Sequence, residues 1–320
     1  MKALALALLV AASPLSMAAE DIYPSKPVRM IVPFAPGSST DVLARLLGDR
    51  LSRRMGQPFV IDNRPGAGGV IGTAVGAKSP ADGYTVILAG SGPFGINPAI
   101  YSKLAYDPLK DFSAIINLIS TPQVLVTSAT SPYKTLQEFI TAARSGGKSV
   151  DFASIGPGST SHMAGQYFQS VAKVEMNHIP FKGNADAQMQ VIGNRVPVMF
   201  DALPGVKSSI ASGKLRALAV AAPSRTSLAP DIPTFEEQGV PGLEVTGWIG
   251  LVAPAGTPTG VLDQLNKEIN AVMAQPEFID KLNQAAFTPV GGSRAEFDAY
   301  IRKEIAQWSR IAKEAKIQMD

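Results

Sequence analysis

One construction, used twice, constrains this chain more than any other feature: a short apolar strand that passes through a Gly/Ser/Thr loop directly into a helix. The first copy is Val28 to Val32, the loop Phe34, Ala35, Pro36, Gly37, Ser38, Ser39, Thr40 and Asp41, and the helical spacing of Val42, Leu43, Leu46, Leu47 and Leu51. The second is Phe152 to Ser154, the loop Ile155, Gly156, Pro157, Gly158, Ser159, Thr160, Ser161 and His162, and a helix from Met163 to Val171. Glycine admits a ligand close to the backbone, and the first N–H groups of a helix lack intrahelical partners at its positive end. Each loop is therefore a candidate anion site. Two such loops so far apart in sequence imply a ligand held between two lobes.

The ends and the composition narrow the class. Lys2, the apolar run Ala3 to Ala12 and the small residues through Ala19 read as a secretory signal peptide over residues 1–19. The run is too short for a bilayer span, and no later segment is long and apolar enough. There is no cysteine. The expected product is exported, free of a lipid anchor, and without disulfides, thiol catalysis or thiolate metal sites. Loss of Lys2 leaves 28 basic side chains (29 less one) against 26 acidic ones. No basic run exists to neutralise a row of phosphates, which argues against nucleic-acid binding.

Short β-type runs alternate with helical spacing along the chain, at Phe59–Ile61, Thr85–Leu88, Val124–Thr127, Val174–Ile179, Val196–Phe200, Leu215–Val220 and Ile249–Val252 besides the two above. This alternation predicts an α/β fold with largely parallel sheets. Ser293 and Glu296 form a capping box for a C-terminal helix with Phe297, Tyr300, Ile301, Ile305 and Trp308 on one face. Two further segments resemble each other: Val124 to Pro132, and Gly250 to Pro258. Each reads as a strand, a turn and a helix with Ser131 or Thr257 as N-cap and proline at the first helical position. They are expected to be the crossings between lobe 1, residues 20–123 with 249–320, and lobe 2, residues 124–248.

The candidate chemistry is sparse. Ser38 and Asp41 form a cap, and the small donors around them point to ligand contact by Gly37, Ser38, Ser39 and Thr40, with Asp41 ordering the loop. Gly90 to Gly95 satisfies G-x-G-x-x-G, but Pro93 and Pro98 break the place of a phosphate-binding helix, so Ser91 is read as a cleft donor instead. Gly147-Lys148-Ser149 lacks the first glycine of a P-loop, and Ser131 with Lys134 has no companion motif. His162 either helps hold an anion or caps its loop; His178 reads as a strand-end residue. Phe181-Lys182-Gly183-Asn184 should face the cleft, with Lys182 either a charge partner or solvated. Asp201, after an apolar strand, either recognises a ligand ammonium or hydroxyl group or accepts bonds from nearby N–H groups. Two histidines give no metal-ligand spacing.

Tyr23 to Arg29, Val32 to Asp41, Asn63 to Gly69, Ala81 to Tyr84, Tyr106 to Phe112, Lys214 to Val220 and Leu251 to Pro258 together resemble the Bug family, TctC-like extracytoplasmic solute receptors of tripartite tricarboxylate transporters. The resemblance runs from about Tyr23 to the C-terminus. It implies a two-lobed periplasmic binding protein of the type II, Venus-flytrap kind, with no catalysis and no cofactor. It further implies a monomer whose partners are a small carboxylate and the membrane permease subunits. By position it implies clamping loops Phe34 to Thr40 and Gly156 to His162, hence Ser159, Thr160 and Ser161, with Ser91, Lys182, Gly183 and Asp201 as neighbours. Two serines, Ser38 and Ser39, stand where such receptors often carry further glycines. The competing readings are a periplasmic sensor input module, which would use the same cleft, and a secreted α/β hydrolase, which would need a nucleophile elbow that is absent.

Overall fold

The structure is a computed structural model that describes residues 23–145, 149–314 and 317–319. The expected signal peptide, residues 1–19, and Gly147 and Lys148 lie outside the described residues. The chain opens with β1 (Val28–Val32), α1 (Ser39–Met55), β2 (Phe59–Asn63), α2 (Val70–Ala77) and β3 (Thr85–Gly90). A π-type turn, Ser91–Ile96, leads into the short α3 (Asn97–Ile100) and the long β4 (Phe112–Ser128). Then come α4 (Leu136–Ser145), β5 (Val150–Ser154), α5 (Thr160–Ala172), β6 (Met176–Pro180), α6 (Asn184–Ile192), β7 (Val198–Ala202), α7 (Leu203–Ala211) and β8 (Leu215–Val220). The chain ends with β9 (Thr246–Pro254), α8 (Thr259–Met273), α9 (Pro276–Gln284), β10 (Thr288–Gly291) and α10 (Arg294–Glu314).

The parallel ladders that the alternation predicts are present: β1 lies between β2 and β3, and β5 lies between β6 and β7, except that β3 and β7 also border the long strands. β4 and β9 add antiparallel ladders. β9 pairs with β3 on one side and with β4, from Phe112 to Pro122, on the other. From Gln123 onward β4 changes partners, running antiparallel to β7 and β8. The result is a two-lobed molecule in which one continuous strand belongs to both sheets.

Period-2 patterning places each sheet between two apolar layers. In the first sheet Met30, Val32, Val86 and Leu88 pack with α1, α8 and α9, while Ile31, Ile87 and Ala89 pack with Phe94, Trp248 and α10 residues Phe297 and Ile301. In the second, Leu125, Phe152, Val198 and Phe200 face α4 and α5, while Val124, Val126, Ala153 and Met199 face α6 and α7. The far end of α10 departs from its own lobe: Trp308, Ile311 and Ala312 join the core that holds Phe139 and Phe168.

Two helix starts differ from the sequence reading. α4 begins at Leu136, not after Ser131: the Ser131 hydroxyl accepts the Tyr133 N–H and closes a turn, and Thr135 with Glu138 forms the true capping box. α8 begins at Thr259 with Pro258 as its cap residue, and the Thr257 hydroxyl instead donates to Pro254 O. The box of Ser293 and Glu296 is present as expected.

Candidate functional site

The two loops are the same device built with different chemistry. Gly37 (φ 81°) precedes the cap residue Ser38, whose hydroxyl accepts the Asp41 N–H at 3.2 Å. The Asp41 carboxylate turns back to accept the Gly37 N–H at 2.9 Å. Gly158 (φ 70°) precedes the cap residue Ser159, whose hydroxyl accepts the His162 N–H at 3.2 Å. The His162 ring turns back to accept the Gly158 N–H at Nδ1, at 3.2 Å. Both glycines have left-handed backbone that other residues adopt only with strain.

Each lock is electrostatically matched. Burial pushes the Asp41 carboxyl up, but Arg45, Gly37 and Asn63 together hold it below the usual carboxylate range. Asn63 also donates to Phe34 O, which ties β2 to the loop. Burial, reinforced by His178, pushes the His162 imidazole down to about 3, so it stays neutral and able to accept at Nδ1. His178 stacks on it with ring centroids 3.8 Å apart, is itself pushed down by burial to about 4, and approaches the Ser154 hydroxyl at 2.5 Å. Phe152 closes this stack.

With the third N–H of each helix capped by serine, the N–H groups of Ser39, Thr40, Thr160 and Ser161 have no hydrogen-bond partner among the described residues. All four residues line one cavity of about 180 Å³. Phe34, Ser91 and Pro93 line it from the first sheet's side, and Ile155, Asn184 and Asp201 from the second's. Thr121, Gln123, Gly247 and Trp248 line it from the long strands. Ser91 accepts the Trp248 N–H at 2.8 Å, which leaves its own proton free to donate. The Trp248 indole donates to buried Glu304 at 3.0 Å, as does Trp308 at 3.2 Å. Among the described residues no lysine, arginine or histidine lines the cavity, and Asp201 is the one ionisable residue that does.

Asp201 lines the cavity and is held there as an acceptor. It takes the Ala202 N–H at 2.8 Å, the Asn184 amide at 2.9 Å on both oxygens and the Gln188 amide at 3.4 Å. Burial nevertheless pushes its carboxyl up to about 7.

Of the residues singled out in the sequence, Phe34, Ser39, Thr40, Ser91, Thr160, Ser161 and Asp201 converge on the cavity. Gly37, Ser38, Gly156, Ser159 and His162 do not line it; they shape the loops behind it. Lys182 is exposed and Gly183 caps α6, so in that segment Asn184 lines the cavity where a charge partner was expected. Gly90 to Gly95 turns helically through Pro93, which sits early enough in the turn to need no N–H donor. Thr121, Gln123 and Trp248 escaped notice, because their placement depends on how β4 and β9 pair. Among the described residues no group of three or more His, Asp or Glu side chains is placed to hold a metal, and no helix is long and apolar enough to cross a membrane.

Two α/β lobes whose facing helix N-termini converge on a polar cavity define a receptor of the periplasmic binding protein type. Residues 43–317 match the tripartite tricarboxylate transporter family receptor, TctC. Protein BugT of Bordetella pertussis is 35% identical, across 92% of this chain and 90% of BugT. Among solved structures, an R. palustris protein with adipate superposes with a TM-score of 0.86 at 35% identity, across 92% of this chain and 99% of that one. MatC from Rhodopseudomonas palustris, with bound malate, superposes with a TM-score of 0.81 at 31% identity, across 90% and 99%. The chain belongs to the TctC receptor family, whose members are periplasmic solute-binding receptors and not enzymes.

Proposed function

We propose that this receptor captures a small carboxylic acid between its lobes and hands it to the permease subunits of a tripartite tricarboxylate transporter. The observation that carries the reading is the convergence on one cavity of four residues at two helix N-termini whose N–H groups have no partner among the described residues, with no cationic side chain among the described residues that line it. A carboxylate there is held by dipoles and neutral hydroxyls, a form of recognition that does not depend on net charge. Acid ligands in two relatives, adipate and malate, support the class. The ligand residues are Phe34, Ser39, Thr40, Ser91, Thr160, Ser161 and Asp201, with Gly37, Ser38, Gly156, Ser159 and His162 holding the loops. Lobe 1 is residues 20–123 with 249–320 and lobe 2 residues 124–248, a division supported by the change of partners along β4. The receptor works as an exported monomer in the periplasm, closing by hinge motion at the crossings.

Titration calorimetry of the mature protein with mono- and dicarboxylic acids, each beside its primary amide, tests the reading. Saturable binding of an acid and none of its amide is expected. An amide that binds as tightly as its acid overturns it.

A further inference from the structure

The cavity is polarised. Its helix N-termini present donors, but the side of it formed by β4 and α6 presents side-chain amide oxygens, one of which, Gln123 Oε1, has no donor among the described residues. Gln123 is 3% exposed, and its Oε1 is buried without a donor. It lies where β4 changes partners, its backbone held by Val245 O and by the Ala221 N–H, and its side chain lines the cavity. Asn184 has its amide nitrogen committed to both oxygens of Asp201. With its nitrogen shared between both Asp201 oxygens, the amide faces the carboxyl and leaves Oδ1 as its uncommitted atom.

An acid without another polar group would satisfy the N–H pole and leave both amide oxygens desolvated and unpaired, which is costly. We propose that Gln123, with Asn184, selects acids that carry a hydroxyl or ammonium group close to the carboxylate clamped between the two helices, a selection that rests on the carboxylate capture argued above. The small volume of the cavity puts the two poles within reach of one short ligand.

The test compares three carbon skeletons, each as plain acid, 2-hydroxy acid and 2-amino acid: propionate, lactate and alanine; succinate, malate and aspartate; phenylpropionate, phenyllactate and phenylalanine. Dissociation constants are measured for the wild type and for Gln123→Leu. In the skeleton bound best, the hydroxy or amino acid is expected to bind at least about tenfold more tightly than the plain acid. Gln123→Leu is expected to bring that ratio within about threefold, because it removes both the partner of the hydroxyl or ammonium group and the unpaired oxygen that penalises the plain acid. Should the leucine variant fail to fold, Gln123→Met and Asn184→Ala are read in the same way. A plain acid that equals its substituted forms in the wild type, or a preference that survives the substitutions, overturns the selection and leaves carboxylate capture standing. Binding of none of the nine compounds removes carboxylate capture, and this selection with it.

Discussion

Replacing Ser39 with aspartate sets two effects of one charge against each other. Residue 39 is the first of α1 and lines the cavity, so a carboxylate there faces the same N–H groups as the ligand. At a helix N-terminus a negative side chain stabilises the free protein by about 0.3–1 kcal/mol. For the ligand the sign reverses. Two unit charges about 5 Å apart repel by roughly 3 kcal/mol at an effective dielectric of 20, and by about half of that at an exposed position such as residue 39. Affinity for an acid should therefore fall by about 10- to 300-fold, and melting should stay level or rise slightly. Ser39→Ala isolates the loss of the hydroxyl, worth about tenfold at most. Calorimetry at low and high ionic strength is the assay, since the aspartate penalty should shrink with salt and the alanine penalty should not. Unchanged acid affinity in Ser39→Asp, with the fold intact, would refute the placement of the anion at the mouth of α1.

Acid sensitivity follows from three buried groups. His162 and His178 titrate below their ordinary value of 6.5 in the folded state, so between about pH 6.5 and 4 the unfolded chain binds more protons and stability falls with acidification. Asp201 titrates above its ordinary value, so across the same window it opposes them, contributing stability that is lost as pH rises toward 7. Two protons against one leave a net slope of roughly 1.4 kcal/mol per pH unit, and Asp201→Asn should about double it in denaturant titrations at pH 4.5, 5.5 and 6.5. A β-carbon at Gly165 would lie 2.1 Å from the Phe152 ring, so Gly165→Ala should destabilise by about 1–3 kcal/mol in urea, and Phe152→Leu should recover part of the loss. Glu304→Leu leaves two indole N–H groups without their acceptor and should cost about 2–5 kcal/mol, whereas Glu304→Gln should stay within about 1 kcal/mol; tryptophan fluorescence during unfolding reads both.

Local chemistry made part of this site legible in the sequence. A glycine, a serine cap and an apolar stripe at helical spacing are contiguous, so both loops and four of the cavity's donors were identifiable before any tertiary contact was known. The acceptor side was legible only at Asp201 and the segment holding Asn184; Gln123, like Trp248, reaches the cavity only through the register of β4 with β9 and β7, pairings between distant segments. Of the two readings of Lys182 the structure takes the solvated one: the turn at Gly183 leaves it exposed, and the neighbouring Asn184 takes the cavity position. The cap at Ser131 failed to a rival four residues on, Thr135, whose box with Glu138 supplies two bonds where the earlier serine supplied one.

The shared strand has a consequence for the order in which the molecule assembles. β3 cannot complete its pairing until β9 has been made, and α1 cannot bury its apolar face fully without α8. The second sheet draws β5, β6, β7 and β8 from one uninterrupted stretch of chain, together with the latter half of β4. As the chain emerges end first, the middle of the polypeptide can thus close its sheet while the N-terminal segment still waits for its partners. The half of β4 already locked against β7 and β8 would then serve as the template on which β9 docks and draws the N-terminal strands into place.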